Sequence, residues 1–253
     1  NDEFALEGLT SFPRLEGKKY SQLGDLAAEL ETTTIRCIIL RKDNPKGLIA
    51  EIFSRLNQGA VRLSDQEIRH ALFEGEFDKL LQELSKTAEI QSFKTPRDGS
   101  VQHESREGEE LVLRYFAFLK DGANYDGKLT AFLDRFMETA SRDFGGSELS
   151  SLRDAFNDSI AACRAVFAED EVFTNIGSDR RRQGVVYYDL LMGSLGKIPP
   201  NTLQQKRKKI REAYSMLSVS EDFKKLTAGG IQREYAVSKR NELWNEKLQE
   251  AIS

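Results

Sequence analysis

Apolar residues recur at helical spacing along most of this chain. From Gly47 onward, Leu48, Ile49, Ile52, Phe53 and Leu56 fall on one helix face. A second helix is predicted from near Asp65, with Leu72, Phe73, Leu80, Leu81 and Leu84 on its apolar side and Gly75 as a break or bend. "KTPRDGSVQHESREG" follows as a polar loop without periodicity. Beyond it come amphipathic segments: "EELVLRYFAFL", "KLTAFLDRFMETA", "ELSSLRDAFNDSIAACRAVF", "VVYYDLLMGSL", "TLQQKRKKIREAYSML", "SEDFKKL" and "NELWNEKLQEAI". Joints marked by Gly, Pro or Ser separate them, and no fixed repeat relates them, which disfavours a solenoid. One stretch breaks the pattern. "TTTIRCIILRK", Thr32 to Lys42, is rich in β-branched residues, apolar on both faces and closed by the turn-forming "DNPKG". It predicts a buried strand, and a buried strand needs neighbours. The pattern as a whole predicts a mostly α chain, an irregular helical bundle packed on the remains of an α+β domain.

Composition changes this picture little. The 253 residues suffice for one large domain or two small ones. With 39% hydrophobic and 31% charged residues, no apolar run near the roughly 20 residues that span a bilayer and no signal-peptide pattern, the expectation is a soluble cytoplasmic protein. The chain opens "NDEFALEGL", without Met, and reads as a piece of a longer protein. Cys37 and Cys163 lie far apart in apolar surroundings, as buried thiols of a reducing compartment do. His70 and His103 are the only histidines, too few to predict a His- or Cys-based zinc site, while an all-carboxylate magnesium site stays open.

Net charge restricts DNA contact to local patches. The chain carries −4 with a pI near 5.5, so only two runs qualify: "SDRRRQ" at 178–183 and "QQKRKKIR" at 204–211. Arg180, Arg181 and Arg182 either grip phosphates or form a solvated loop. "KRKK" at 206–209 reads as a solvated helix face. "EGEE" at 107–110 suits a helix N-terminus, and Trp244, Phe116, Phe118, Tyr187 and Tyr188 fall at core spacings.

The stretch "FSRLNQGAVRLSDQEIRHALFEGEF", 53–77, supports two readings. In the first it is a well-capped corner. "SDQE" at 64–67 is a capping box, Leu63 and Ile68 are placed as a hydrophobic staple, and Asn57 and Gly59 tolerate the left-handed conformation that closes a helix. That accounts for Asn57, Gly59, Ser64 and Glu67 but leaves Arg55, Gln58 and Arg69 without a role. In the second reading the corner binds phosphate: backbone N–H groups and the next helix dipole face an anion, and arginine adds its bidentate fork.

This stretch, continued as "DKLLQEL", closely resembles a signature of the DGQQR-motif family, prokaryotic proteins with a ParB/sulfiredoxin-like N-terminal domain found also in GmrSD-type restriction enzymes. "LEGLTSFPRLEGKKYSQL", "EELVLRYFAFL" and "RRRQGVVYYDLLM" resemble further family segments. The resemblance covers most of the chain and is densest from Leu6 to Leu119. It places the signature on Phe53, Arg55, Asn57, Gly59, Leu63, Gln66, Glu67 and Arg69. Ala60 and His70 depart from it, standing where glycine and asparagine are usual. Neither "DGQQR" nor an HNH nuclease motif occurs in the 253 residues, and by the family's order the former belongs just before Asn1.

The resemblance implies that residues 1–90 are the C-terminal part of a ParB/sulfiredoxin-like α+β domain and 91–253 a helical domain. It implies a phage-defence protein that, when complete, hydrolyses nucleoside triphosphate with Mg2+, cleaves DNA, or both, with modified phage DNA as a partner. Asn57 and Arg69 are then catalytic, Arg55, Gln58, Gly59 and Glu67 bind phosphate, and Arg180, Arg181 and Arg182 contact DNA. The alternative is a helical module that binds DNA or a partner without chemistry of its own.

Overall fold

A computed structural model describes residues 3–9, 11–34, 52, 63–93 and 106–253. The chain falls into two compact units, Asn1–Asn44 and Pro45–Ser253. Among the described residues of the first, polar contacts outnumber buried side chains. The Glu16 carboxylate accepts the N–H groups of Gly8 and Leu9 at 2.8 and 2.7 Å. Gly17 N–H donates to the Leu6 carbonyl at 2.7 Å, and Gly8 and Gly17 take φ of 75°, a conformation open to glycine at little cost. Two 3₁₀ turns, Pro13–Leu15 and Tyr20–Gln22, lead into α1, Asp25–Thr32. Leu23 alone is buried among this unit's described residues.

The expected α+β remnant is overturned here. No strand occurs among the described residues, whose only ladder pairings are the isolated bridges Ala5↔Lys19 and Thr174↔Gln183. Thr32, where the strand was expected to start, is the last residue of α1. Its hydroxyl donates to the carbonyls of Ala28 and Glu29, both at 3.0 Å, and Thr33 donates to Glu29 O at 2.9 Å. Threonine thus serves a helix end, a local bond that competes with the sheet ladder. The remainder of that stretch, 35–42, lies outside the described residues, as do most of the helix expected from Gly47 and residues 94–105 of the polar loop expected at 94–108. The last two residues of that loop, Glu107 and Gly108, open a helix instead.

The second unit contains ten α-helices among its described residues. They are α2 (Asp65–Leu72), α3 (Glu76–Leu84), α4 (Ala88–Gln91), α5 (Glu107–Asp121), α6 (Leu129–Asp143), α7 (Gly146–Val166), α8 (Val185–Leu195), α9 (Pro200–Val219), α10 (Glu221–Lys225) and α11 (Glu234–Ile252). The break at Gly75 separates α2 from α3 as its position predicts. Helix α5 is central. Glu107, Glu109 and Glu110 favour its positive end and Lys120 its negative end. Val112, Leu113, Phe116 and Ala117 are fully buried, and α2, α3, α4, α6 and α8 all pack against it. A second layer joins α9 to α7 and α11. Phe116, Tyr188 and Trp244 are core residues, as their spacing predicts.

Some close approaches are tight. A Cβ on Gly196 would lie 2.2 Å from Ser159 Oγ and 3.0 Å from Ser159 Cα, so only glycine fits where the end of α8 meets α7. Helices α2 and α3 pack on α5, α6 and α7 and so belong to the second unit.

Candidate functional site

The start of α2 is built as its sequence dictates. Ser64 has extended backbone, and its Oγ accepts the Glu67 N–H at 3.2 Å. Glu67 Oε2 reaches back to accept the Ser64 N–H at 2.6 Å, closing the capping box. Asp65 accepts a hydrogen bond from Thr130 Oγ1 of α6 at 3.1 Å. Glu67, expected on phosphate, is thus committed to the cap.

Arg69 joins three helices. Its Nε donates to Asp134 Oδ1 of α6 at 2.7 Å and its Nη1 to Glu110 Oε2 of α5 at 2.8 Å. Nη1 also donates to Gln66 Oε1 at 3.3 Å, and Nη2 reaches Thr130 O at 3.5 Å. The arginine side chain is 2% exposed, whereas Glu110 and Asp134 are 38% and 52% exposed. A buried cation is therefore held by two carboxylates that water also solvates. Its fork, expected to stabilise charge in catalysis, is spent within the protein. Gln66, beside it, is also buried, and its Nε2 has no acceptor among the described residues. Arg55, Asn57, Gln58 and Gly59, the rest of the expected site, lie outside the described residues.

Arg180, Arg181 and Arg182 sit on the loop between α7 and α8. The loop is pinned where it closes: Asn175 N–H donates to Arg182 O at 3.2 Å and Gly184 N–H to Phe173 O at 3.1 Å. Arg181 pairs with Asp170 at 2.6 Å and lies 3.6 Å from Glu171. Arg180 and Arg182 are exposed and form no ion pair among the described residues. Glu171 also takes Arg211 of α9, whose Nε donates to it at 3.0 Å and whose Nη2 closes the fork. That hydrogen-bonded guanidinium holds the Glu171 carboxyl below the usual glutamate range. The two basic runs of the sequence therefore meet at one buried carboxylate. Arg207, Lys208 and Lys209 are exposed, in line with a solvated helix face.

One concave feature has no counterpart among the sequence motifs. A cavity of about 890 Å³ lies among α5, α8, α11 and the start of α9, with Tyr188, Asp189, Ser194 and Arg240 in its lining. Its buried polar groups are already paired. Arg114 forks onto Asp189 at 2.6 and 2.5 Å, Arg240 donates to the carbonyls of Leu226 and Ile231 at 2.8 and 2.6 Å, and Trp244 Nε1 donates to Ser194 at 2.8 Å. These bonds satisfy the core rather than present a ligand with free groups. The signal for them was a charge standing in an apolar helical stripe, as Arg114 does between Leu113 and Ala117.

Cys163 is a free, buried thiol whose titration burial pushes up, so it stays protonated and inert. Cys37 lies outside the described residues. Among those residues no helix is long and apolar enough to cross a membrane. No protein-family model, no curated protein and no solved structure matches this chain, so the resemblance to the DGQQR-motif family rests on the quoted residues alone.

Proposed function

We propose that the residues leading into α2 bind the phosphate of a nucleoside triphosphate or of DNA, and that the chain takes part in cytoplasmic phosphate-ester hydrolysis of the kind the DGQQR-family resemblance implies. Gln66 carries the reading. It belongs to the resembling signature, lies in the first turn of α2, and holds a buried amide donor with no acceptor among the described residues. A buried donor without a partner is rare and costly, and a phosphate oxygen at a helix N-terminus is a suitable acceptor. Arg55, Asn57, Gln58 and Gly59 cradle the anion in this reading. Glu67 and Arg69 act at one remove, the first capping the helix and the second fixing it to α5 and α6.

The test is fluorescence anisotropy of a labelled nucleoside triphosphate with Mg2+, and of a labelled duplex, against the 253-residue chain. Asn57→Ala and Gln66→Met should each weaken binding by roughly tenfold or more, the loss of a hydrogen bond to a charged group. Gln66→Met deletes an unpaired buried donor but also the amide oxygen that accepts from Arg69 at 3.3 Å, so the two effects oppose each other and stability should stay within about 1 kcal/mol of wild type. Unchanged affinity in both variants would sink the proposal.

One observation favours a second reading, a DNA-binding module. Arg181 and Arg211 converge on Glu171, bringing the runs at 178–183 and 204–211 to one place. If they meet duplex phosphates, replacing Arg180, Arg181 and Arg182 by Ala weakens binding alike for every sequence. The slope of log affinity against log salt becomes shallower by up to about 0.9 for each phosphate no longer neutralised. A slope that does not move makes the three arginines a solvated loop.

A further inference from the structure

Three side chains that no sequence spacing connects meet next to the Arg69 staple. His70 of α2, Asp78 of α3 and Glu109 of α5 each offer one donor atom, and these atoms lie within 4.8 Å of one another. The Asp78 side chain has no exposed surface and Glu109 is 10% exposed, while His70 is 27% exposed. The carboxylates are thus buried, and the imidazole keeps one edge open to solvent.

The surrounding bonds hold the two carboxylates in place. His70 Nδ1 lies 2.8 Å from Asp78 Oδ2, and Gln82 Nε2 donates to the same oxygen at 2.6 Å. Arg106 Nη1 donates to both oxygens of Glu109 at 2.9 Å. The other oxygen of Asp78, Oδ1, is buried and has no hydrogen-bond partner. A buried carboxylate oxygen without a donor is a costly arrangement that native structures rarely leave uncompensated. No described residue donates a hydrogen bond to it.

We propose that His70, Asp78 and Glu109 form a binding site for a divalent transition-metal cation, of which Zn2+ is the representative. The donor set decides the class. An imidazole with two carboxylates suits zinc and its first-row neighbours, whereas magnesium and calcium take oxygen ligands throughout. The size also fits. Zinc bonds of about 2.0–2.2 Å in tetrahedral geometry place ligand atoms about 3.3–3.6 Å apart, so three atoms within 4.8 Å of one another need to close by at most about 1.5 Å. Gln82 and Arg106 are the outer partners that such sites use to orient their ligands. Three protein ligands leave a further position for water, on the side where His70 is exposed.

The metal would tie α2 and α3, joined only by the turn at Gly75, to the first turn of α5. Binding to the native state alone then stabilises the fold by mass action. The sequence hid the site because its ligands come from three helices, with His70 and Glu109 separated by the whole of α3 and α4. None of this depends on the phosphate-binding reading of the residues before α2.

The experiment is calorimetric titration of the untagged, metal-stripped 253-residue chain with Zn2+, and with Mn2+ and Mg2+ in parallel. The expected result is one Zn2+ per chain, a raised melting temperature, and weaker binding of Mg2+ than of Zn2+. His70→Asn and Glu109→Gln should each weaken Zn2+ binding at least tenfold, since even outer partners are worth about 10–100-fold. His103→Asn should bind like the wild type. A second measurement keeps the assignment open to refutation if the ligand variants do not fold. In His103→Asn, His70 is the only histidine, and its ring nitrogen resonances must shift on adding Zn2+. No saturation up to millimolar Zn2+, binding without a shift at His70, equal affinity in His70→Asn, or preference for Mg2+ would each overturn the proposal.

Discussion

Arg69 and its two carboxylates should respond unequally to removal of one side or the other, because only the cation is buried. In Glu110→Gln with Asp134→Asn, the guanidinium remains 2% exposed and keeps only the Gln66 amide oxygen, the Thr130 carbonyl and the new amide oxygens as acceptors. Removing the partner of a buried charge costs about 3–5 kcal/mol. The remaining neutral acceptors place this variant at the lower end, about 3 kcal/mol. Arg69→Met works in the opposite direction. It leaves carboxylates that are already 38% and 52% exposed, so water takes over their charges. A hydrogen bond to a charged group is worth about 1.5–3 kcal/mol when buried and an exposed ion pair at most about 1. Arg69→Met, with its aliphatic chain refilling much of the space, should therefore cost about 1–2 kcal/mol. The double variant, which removes less volume, should be the less stable of the two by about 1–2 kcal/mol. The chain has one tryptophan, and Trp244 is 1% exposed in the core. Urea unfolding followed by its fluorescence, checked against far-UV circular dichroism, measures the difference. If Arg69→Met proves as costly as the double variant or costlier, the cation is not the buried partner and the reasoning fails.

Three further outcomes are expected. Ser64→Ala should destabilise the second unit by about 0.5–2 kcal/mol, since the Glu67 N–H loses its acceptor; an unchanged urea midpoint would count against the box. Gly196→Ala should cost about 1–3 kcal/mol by overpacking, because the new methyl meets the Ser159 backbone as well as its hydroxyl, and a melting temperature equal to wild type would contradict that close approach. Glu171 has a folded pKa below its ordinary value of 4.5 through its bond to Arg211, so the unfolded chain binds the proton more readily. The stability from this pair is present above about the ordinary value and lost as pH falls through the lower folded one. Glu171→Gln should flatten the acid limb of the stability profile, and an unaltered limb would show that Arg211 does not hold the carboxylate.

Local chemistry makes much of α2 legible in the amino-acid sequence. Ser64 and Glu67 are three residues apart, so their reciprocal bonds depend on almost nothing beyond the chain itself, and the box forms as read. The same holds for the break at Gly75, for the acidic first turn of α5, and for the limits of α8, which begins at Val185 and ends at Leu195 as its pattern indicates. Periodicity identified Phe116, Tyr188 and Trp244 as core because a helix places every third or fourth residue on one side. It misjudged the start of α11, which begins at Glu234 rather than near Asn241, because Arg240 occupies a core-facing position.

What distance along the chain conceals, only packing decided. The β-branched run beginning at Thr32 favours a strand by propensity, yet strand propensity is a weak term, and the first two threonines close a helix instead. Arg69 reads as a free cation until α5 and α6, 41 and 65 residues away, bring Glu110 and Asp134 to it. The basic runs at 178–183 and 204–211 read as separate until Glu171 joins them. His70 is one of only two histidines, which argued from composition against a His- or Cys-based zinc site. Its two carboxylate neighbours come from other helices, and the third dimension alone puts them within reach of one ion.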